Sequence, residues 1–372
     1  MHPRLSDVEP MDIDDTSARS GESTGTGDHR PGSDRASDGQ PGLDPPRLVG
    51  VRIGLAALRL GPVLILALLV VVLSLLSPYF ATTQNLGNVL AQSAVIAILA
   101  IGQLLVILTR GIDLSVGSTL ALSAVAGALV FQGLGGGALT VGVMLATGMA
   151  VGAVNGIVFV FGRLPHPFII TLATLSVARG LALMLSGGQP IRGMPDVVNT
   201  VGGGSVGWLP YSTLLVALVA VAVALFLSRA VWGRWIYAVG GNPEGARRLG
   251  IPQSWVLVSV YVVSGLLAGV AAVVTSGRLN AGSPTFGQLA ELDSIAAVVI
   301  GGASFLGGRG HVGHALVGAL MIGVIRNGMN LLNIEASMQL VVIGVVIVLA
   351  VESDVIRGRL EARFRSLQAV SS

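Results

Sequence analysis

From Leu60 onward the chain consists of apolar runs separated by short polar breaks. Each run approaches the about 20 residues that a helix, rising about 1.5 Å per residue, needs to cross the hydrocarbon of a bilayer. Ten runs are counted, approximately Leu60 to Leu76, Val89 to Leu108, Leu114 to Phe131, Ala138 to Phe161, Phe168 to Leu185, Tyr211 to Leu227, Trp255 to Val274, Leu292 to Leu306, Ala315 to Leu332 and Met338 to Val351. The eighth and tenth are short for a full span and could be tilted or partly re-entrant. Backbone polar groups in hydrocarbon need internal partners, so the expected fold is all-α, a polytopic membrane protein of about ten transmembrane helices. Composition agrees: 52% of residues are hydrophobic and 11% charged, against roughly a quarter charged in soluble domains.

Charge placement orients the spans. The sequence has no lysine, so every basic side chain besides histidine is arginine. With the N-terminus inside, the cytoplasmic segments carry Arg47, Arg52, Arg59, Arg110, Arg163, Arg229, Arg234, Arg247, Arg248, Arg309, Arg357, Arg359, Arg363 and Arg365, and the outer loops only Arg192 and Arg278. That asymmetry favours an even number of spans with both termini cytoplasmic. Residues 1–46 hold ten of the 19 acidic residues and almost no aliphatic ones, which predicts a disordered acidic cytoplasmic tail. They lack a secretory leader's apolar core and cleavage site, so the first apolar run is expected to be retained. The transmembrane domain is then 47–356, with a long inward loop at 229–254, and 357–372 is a basic cytoplasmic tail. The absence of cysteine excludes disulfides, thiolate catalysis and Cys-ligated metals.

Three segments interrupt the apolar pattern informatively. In Thr109 to Ser118, Asp113 stands where a helix starts, with Gly111, Ser115 and Gly117 around it. It serves either as an N-cap on the cytoplasmic side or as a substrate contact. In the inward loop, Asn242 followed by Pro243 and Glu244 reads as a helix start, and Gly250 and Pro252 as its stop. This short helix, with Arg247 and Arg248, suits either a groove of a partner protein or an anionic lipid surface. The third segment holds Glu291 and Asp293 and runs into Gly301, Gly302, Gly307 and Gly308. Repeated glycines there suit close packing or a discontinuous helix.

Together, in this order and spacing and with Asn327-Gly328 and Asn330-Leu331-Leu332, these segments resemble the permease subunits of the ribose/xylose/arabinose/galactose class of bacterial ABC importers. The match runs from about Phe80 to Val351. The resemblance implies a coupling helix that enters a cleft of a cytoplasmic ATPase, with Asn242, Pro243, Glu244, Ala246, Arg247, Gly250 and Ile251 matching the family pattern. Gly245, Arg248 and Leu249 depart from it, as does Arg110, where glycine is usual. It further implies a second permease copy or close relative, an extracytoplasmic sugar-binding protein, and a place in the bacterial plasma membrane. No cofactor is expected on this chain: it has no phosphate-binding Gly-x-x-x-x-Gly-Lys loop, so ATP belongs to the partner subunit and the chain is not itself an enzyme.

Polar residues inside spans are costly and point to a pathway by default. Those present are Gln92, Gln103, Ser118, Ser123, Asn155, Thr171, Thr174, Arg179, Ser264, Arg326, Asn327 and Asn330. Of these, Gln103, Ser118, Asn155, Thr171, Thr174, Asn327 and Asn330 are the candidates for a neutral sugar route, with interhelical hydrogen bonding as the alternative. Arg179 and Arg326 are expected to snorkel or to meet the binding protein. His2, His29, His166, His311 and His314 form no metal set, and nothing indicates nucleic-acid binding. Alternatives are an ion-coupled secondary transporter, whose coupling carboxylates would have to be Asp113 and Asp293, and an ABC permease for nucleosides or a sugar-like signal.

Overall fold

A computed structural model describes residues 45–349 and Glu352. Most of the acidic N-terminal segment and the basic C-terminal segment lie outside the described residues. The helices are α1 (Pro45–Leu76), α2 (Thr83–Leu108), α3 (Val116–Leu134), α4 (Gly137–Phe161), α5 (Pro167–Ser186), α6 (Asp196–Gly203), α7 (Tyr211–Arg229), α8 (Val231–Gly241), α9 (Pro243–Arg248), α10 (Gln253–Leu279), α11 (Ala290–Ile300) and α12 (Val312–Leu331), followed by α13 (Ala336–Leu349). Seven of them, α2, α3, α4, α5, α7, α10 and α12, are long and apolar enough to cross a membrane unaided. The strands are two-residue bridges: β1 (Ile191–Arg192) pairs antiparallel with β4 (Ala281–Gly282), and β2 (Ser205–Val206) with β3 (Leu209–Pro210). The fold is all-α and polytopic.

One expected run is corrected. The apolar stretch Leu292 to Leu306 is helical only to Ile300, because Gly302, Gly307 and Gly308 adopt φ of 102°, 82° and 71°, conformations that end a right-handed helix and that only glycine enters cheaply.

α2 and α10 form the centre. From Ile98 to Leu108, α2 shows almost no exposed surface, the pattern of a helix apolar on every side and surrounded by protein. α5 and α7 lie outside and present Val177, Leu181, Leu218, Val221 and Leu225 outward, an apolar surface suited to lipid. α4 and α10 pack with their backbones nearly touching. A Cβ on Gly148 would stand 2.2 Å from the Gly265 carbonyl oxygen, one on Gly152 2.2 Å from that of Tyr261, and one on Gly265 2.1 Å from that of Gly148. Glycines at four-residue spacing on facing helices thus create the contact, as small-residue motifs do in membranes.

The bundle has two distinct ends. At one, the C-terminus of α2 meets the end of α8 (Leu108 with Gly240) and Phe161 at the end of α4 stacks edge-on against Trp255. At the other, β2–β3 sits over the start of α2 (Trp208 with Gly87) and α6 over the end of α10 (Val198 with Gly277). Arg110, Arg163, Arg229, Arg234, Arg247, Arg248 and Arg309 belong to connections at the first end, Arg192 and Arg278 to the second.

Gly265→Val forces α4 and α10 apart and is expected to destabilise by at least about 1–3 kcal/mol. Gly142→Val, at an exposed position with nothing within 4 Å, should be near neutral. Thermal unfolding of the two variants in detergent checks the contrast.

Candidate functional site

After Leu108 the chain does not pass straight from one span to the next; residues 109–115 turn back into the bundle. Asp113, 1% exposed, accepts bonds at Oδ1 from the Ser115 N–H (2.9 Å) and the Ser115 hydroxyl (2.6 Å), and at Oδ2 from the Ser264 hydroxyl (3.1 Å). Ser264 lies in the interior of α10. Gln103, a turn before the end of α2, donates its amide nitrogen to the Asp113 carbonyl and accepts the Asp113 N–H, both at 3.1 Å, in the amide orientation its neighbours require. From α4, Asn155 donates to Ser115 Oγ (2.8 Å); from α5, Thr171 donates to the Ile112 carbonyl (3.3 Å); Ser118 donates to the Ser115 carbonyl (2.9 Å). Gly111 is held where a Cβ would meet the Tyr261 hydroxyl at 2.6 Å. Asp113 is therefore not the N-cap of α3. The N-cap position of α3 is Ser115, which makes no side-chain cap bond, and Asp113 stands two residues earlier, inside the protein.

A second interruption faces the first. Between α10 and α11 the chain runs non-helically from Ala281 to Leu289 alongside α3: a Cβ on Gly282 would meet the Ala124 carbonyl oxygen, and one on Gly117 would stand 2.2 Å from that of Gly287. Arg179, on α5, donates from one nitrogen to the Pro284 carbonyl and to the Phe286 carbonyl (2.7 Å). Glu291 and Asp293 sit in the first turn of α11, where the helix dipole favours carboxylates. Asp293 takes two bonds from Arg326 of α12 (2.9 and 2.6 Å). Both arginines are thus engaged within the bundle rather than snorkelling or free for an external partner, as the sequence alone suggested. A linear sequence does not reveal which carbonyls lack helical partners.

The third element is the arm α8–α9. Asn242 caps α9 by accepting the Gly245 N–H (2.9 Å), Pro243 occupies its first turn, and Gly250 ends it with φ 74°. Ala246 is buried and Ile251 packs on the core, whereas Glu244 is exposed and pairs with Arg247 (3.2 Å) and Arg248 (3.3 Å). The arm is anchored at two places, and the loop it meets is tied in turn to α2. Arg110, itself at φ 66°, donates Nε to the Gly240 carbonyl (2.6 Å) and Nη2 to that of Gly241 (2.8 Å). The Tyr237 hydroxyl donates to the Gly310 carbonyl (2.8 Å), and burial pushes this phenol above its usual range, so it remains a donor at neutral pH. The Gly308 N–H donates to the Leu108 carbonyl (2.9 Å).

Of the residues singled out by sequence, Gln103, Ser118, Asn155 and Thr171 converge on the 109–115 loop, and Thr174 is buried on the same side of α5 as Thr171. Asn327 lies elsewhere, in a reciprocal amide pair with Asn85 (2.9 Å each way). Asn330 accepts from Gln339 of α13 (2.8 Å). Gly301 packs on the His314 carbonyl of α12. The sequence alone does not single out Asn85, and it marks Arg110 by its charge and as a departure from the family pattern, not by its contacts.

A buried helix bundle with interrupted spans and a charged, capped arm at its basic end describes a multi-pass membrane protein. Comparison with known proteins places it further. The branched-chain amino acid transport system / permease component family matches residues 85–351. The ribose import permease of Escherichia coli (strain K12) is 42% identical over 295 residues, covering 78% of this chain and 91% of that protein. The ribose import permease of Bacillus subtilis (strain 168) is 41% identical over 306 residues, 80% and 92%, and the D-allose transport system permease of Escherichia coli (strain K12) 39% over 301 residues, 80% and 91%. No solved structure matches significantly. The chain belongs to this family of ABC importer permeases, as a multi-pass inner-membrane transport subunit and not an enzyme.

Asp113→Ala removes the acceptor for the Ser115 N–H and for two hydroxyls, and each orphaned donor costs about 1–3 kcal/mol. Its unfolding temperature in detergent is expected to fall well below that of Asp113→Asn, which keeps a side-chain acceptor in the same place.

Proposed function

We propose that the chain is the membrane-spanning permease of an ATP-driven monosaccharide importer, with ribose or a related sugar as substrate. An extracytoplasmic binding protein delivers the sugar, two cytoplasmic ATPases drive transport, and a second permease copy or close relative completes the path. The observation that carries this reading is the arm: α9 projects Glu244, Arg247 and Arg248 into solvent while its base is fastened to α2 and to the 301–311 loop. A surface helix resting on lipid has no need of such fastening; a helix that transmits force from an ATPase cleft does. Asn242, Pro243, Glu244, Ala246, Arg247, Gly250 and Ile251 are its coupling residues.

The arginine-rich end is assigned to the cytoplasm, which puts α9 beside the ATPase and the β2–β3 and α6 cap beside the binding protein. Interrupted runs count as crossings in this topology, giving ten with both termini inside. The relatives are named for a pentose and a hexose, ribose and allose, and the family description names amino acids. The sugar class is therefore drawn from the individual relatives.

In membrane vesicles with ATPase and binding protein, Glu244→Arg is expected to abolish sugar uptake while inserting normally, since exposed ion pairs contribute only about 0–1 kcal/mol to stability. Uptake by this chain alone on an ion gradient, indifferent to Glu244, would contradict the reading. Arg110→Gly relieves a left-handed φ and removes both bonds to α8. It should leave thermal stability near wild type yet lower the sugar moved per ATP hydrolysed, measured in the same vesicles.

A further inference from the structure

We infer that the non-helical segment Ser283–Leu289, with Thr285 and Gln288 facing outward from the chain, lines a water-filled path through the membrane and contacts a neutral, polyhydroxylated solute. The inference rests on the importer reading and deepens it by naming a lining that differs from the polar residues in the helices.

The segment lies at membrane depth. It runs beside α3 from Ala124 to Gly117 and is held by Arg179, twelve residues into the twenty-residue α5. Irregular backbone at that depth persists only where protein buries it or where it borders water. On its inner side protein does so, with Ser283 and Pro284 buried against the bundle. On its outer side Thr285 and Gln288 are exposed. Thr285 has a single side-chain partner, the neighbouring Ser283 (2.9 Å), and Gln288 makes no side-chain hydrogen bond among the described residues. An unpaired amide in hydrocarbon costs several kcal/mol, so this face is wet. The apolar surfaces of α1 and α7 show how the same chain treats lipid.

The chemistry of the face selects the solute. Arg179 is committed to two carbonyls and also lies within Coulomb reach of Glu291. Asp293 is paired with Arg326, and Glu291 Oε2 is buried toward Gly117. Besides the Leu289 side chain, what remains exposed on the segment is a hydroxyl and a carboxamide, donors and acceptors without net charge. They match sugar hydroxyls and offer no partner to either end of a zwitterion.

Because the chain has no cysteine, each introduced thiol is the only one present. Thr285→Cys, Gln288→Cys and the lipid-side controls Leu68→Cys and Val221→Cys are treated, in sealed membranes, with a small charged methanethiosulfonate that reacts with thiolates in water. Reaction at 285 and 288 is expected to be at least about tenfold faster than at the controls, where apolar surroundings keep the thiol protonated. A thiol at 288 that reacts only after denaturation, or that instead joins two copies by a disulfide on mild oxidation, would overturn the inference in favour of a packed surface. In the assembled importer, ATP is expected to change the 288 rate severalfold, and D-ribose, but not leucine, to slow it during turnover. A rate indifferent to ATP would mark a static crevice, and equal protection by leucine would remove the neutral-solute assignment. Absence of ATP-driven uptake by the unmodified assembly would instead count against the importer reading, and the labelling comparison would still decide whether the segment is wet.

Discussion

Everything at the centre of this protein depends on one requirement: where the backbone stops being helical inside a bilayer, its N–H and C=O groups need partners from the protein itself. The 109–115 loop and the 281–289 segment are both such places. Gln103 supplies a donor and an acceptor to Asp113's own backbone, and one nitrogen of Arg179 supplies donors to the carbonyls of Pro284 and Phe286. These side chains act as substitutes for missing helical neighbours. The two interruptions then touch through Gly117 and Gly287, where no side chain fits.

That arrangement ties the interior to the arm. Arg110 is at once the beginning of the loop that re-enters the bundle and the cap on the last carbonyls of α8. A displacement of α8 therefore acts on the loop directly, and through Ser264, Asn155 and Thr171 on α10, α4 and α5. The link from Leu108 to Gly308 carries the same displacement towards α11 and α12. Packed elements of this kind shift between discrete arrangements rather than deforming smoothly.

Much of this was legible in the sequence and some was not, for identifiable reasons. The apolar runs mark the helices well because length and hydropathy are local properties: α4 begins and ends within one residue of the expected Ala138 to Phe161. The start of α9 at Asn242-Pro243-Glu244 was legible because capping is also local. That Asp113 is buried could not be read locally, because its burial depends on Gln103 and Ser264, the latter 151 residues away. Arg179 and Arg326 were placed near a water interface because an unpaired arginine belongs there, and the carbonyls of Pro284 and Phe286 become orphans only once the chain is seen to leave the helix. The end of α11 at Ile300 was missed because Leu306 keeps the hydropathy high after glycine has broken the geometry.

The polar residues inside the spans bear on how selectivity is divided. Gln103, Ser118, Asn155 and Thr171 are buried, and each bonds to another part of the same chain. A high-affinity sugar site needs several convergent donors and acceptors left free to meet hydroxyls, and these four side chains already spend at least one group each on the chain itself. A path lined by side chains so committed holds its solute weakly, which favours passage. By the same reasoning, discrimination between one sugar and another has to be made before the solute enters, and this is the role the proposed binding protein fills.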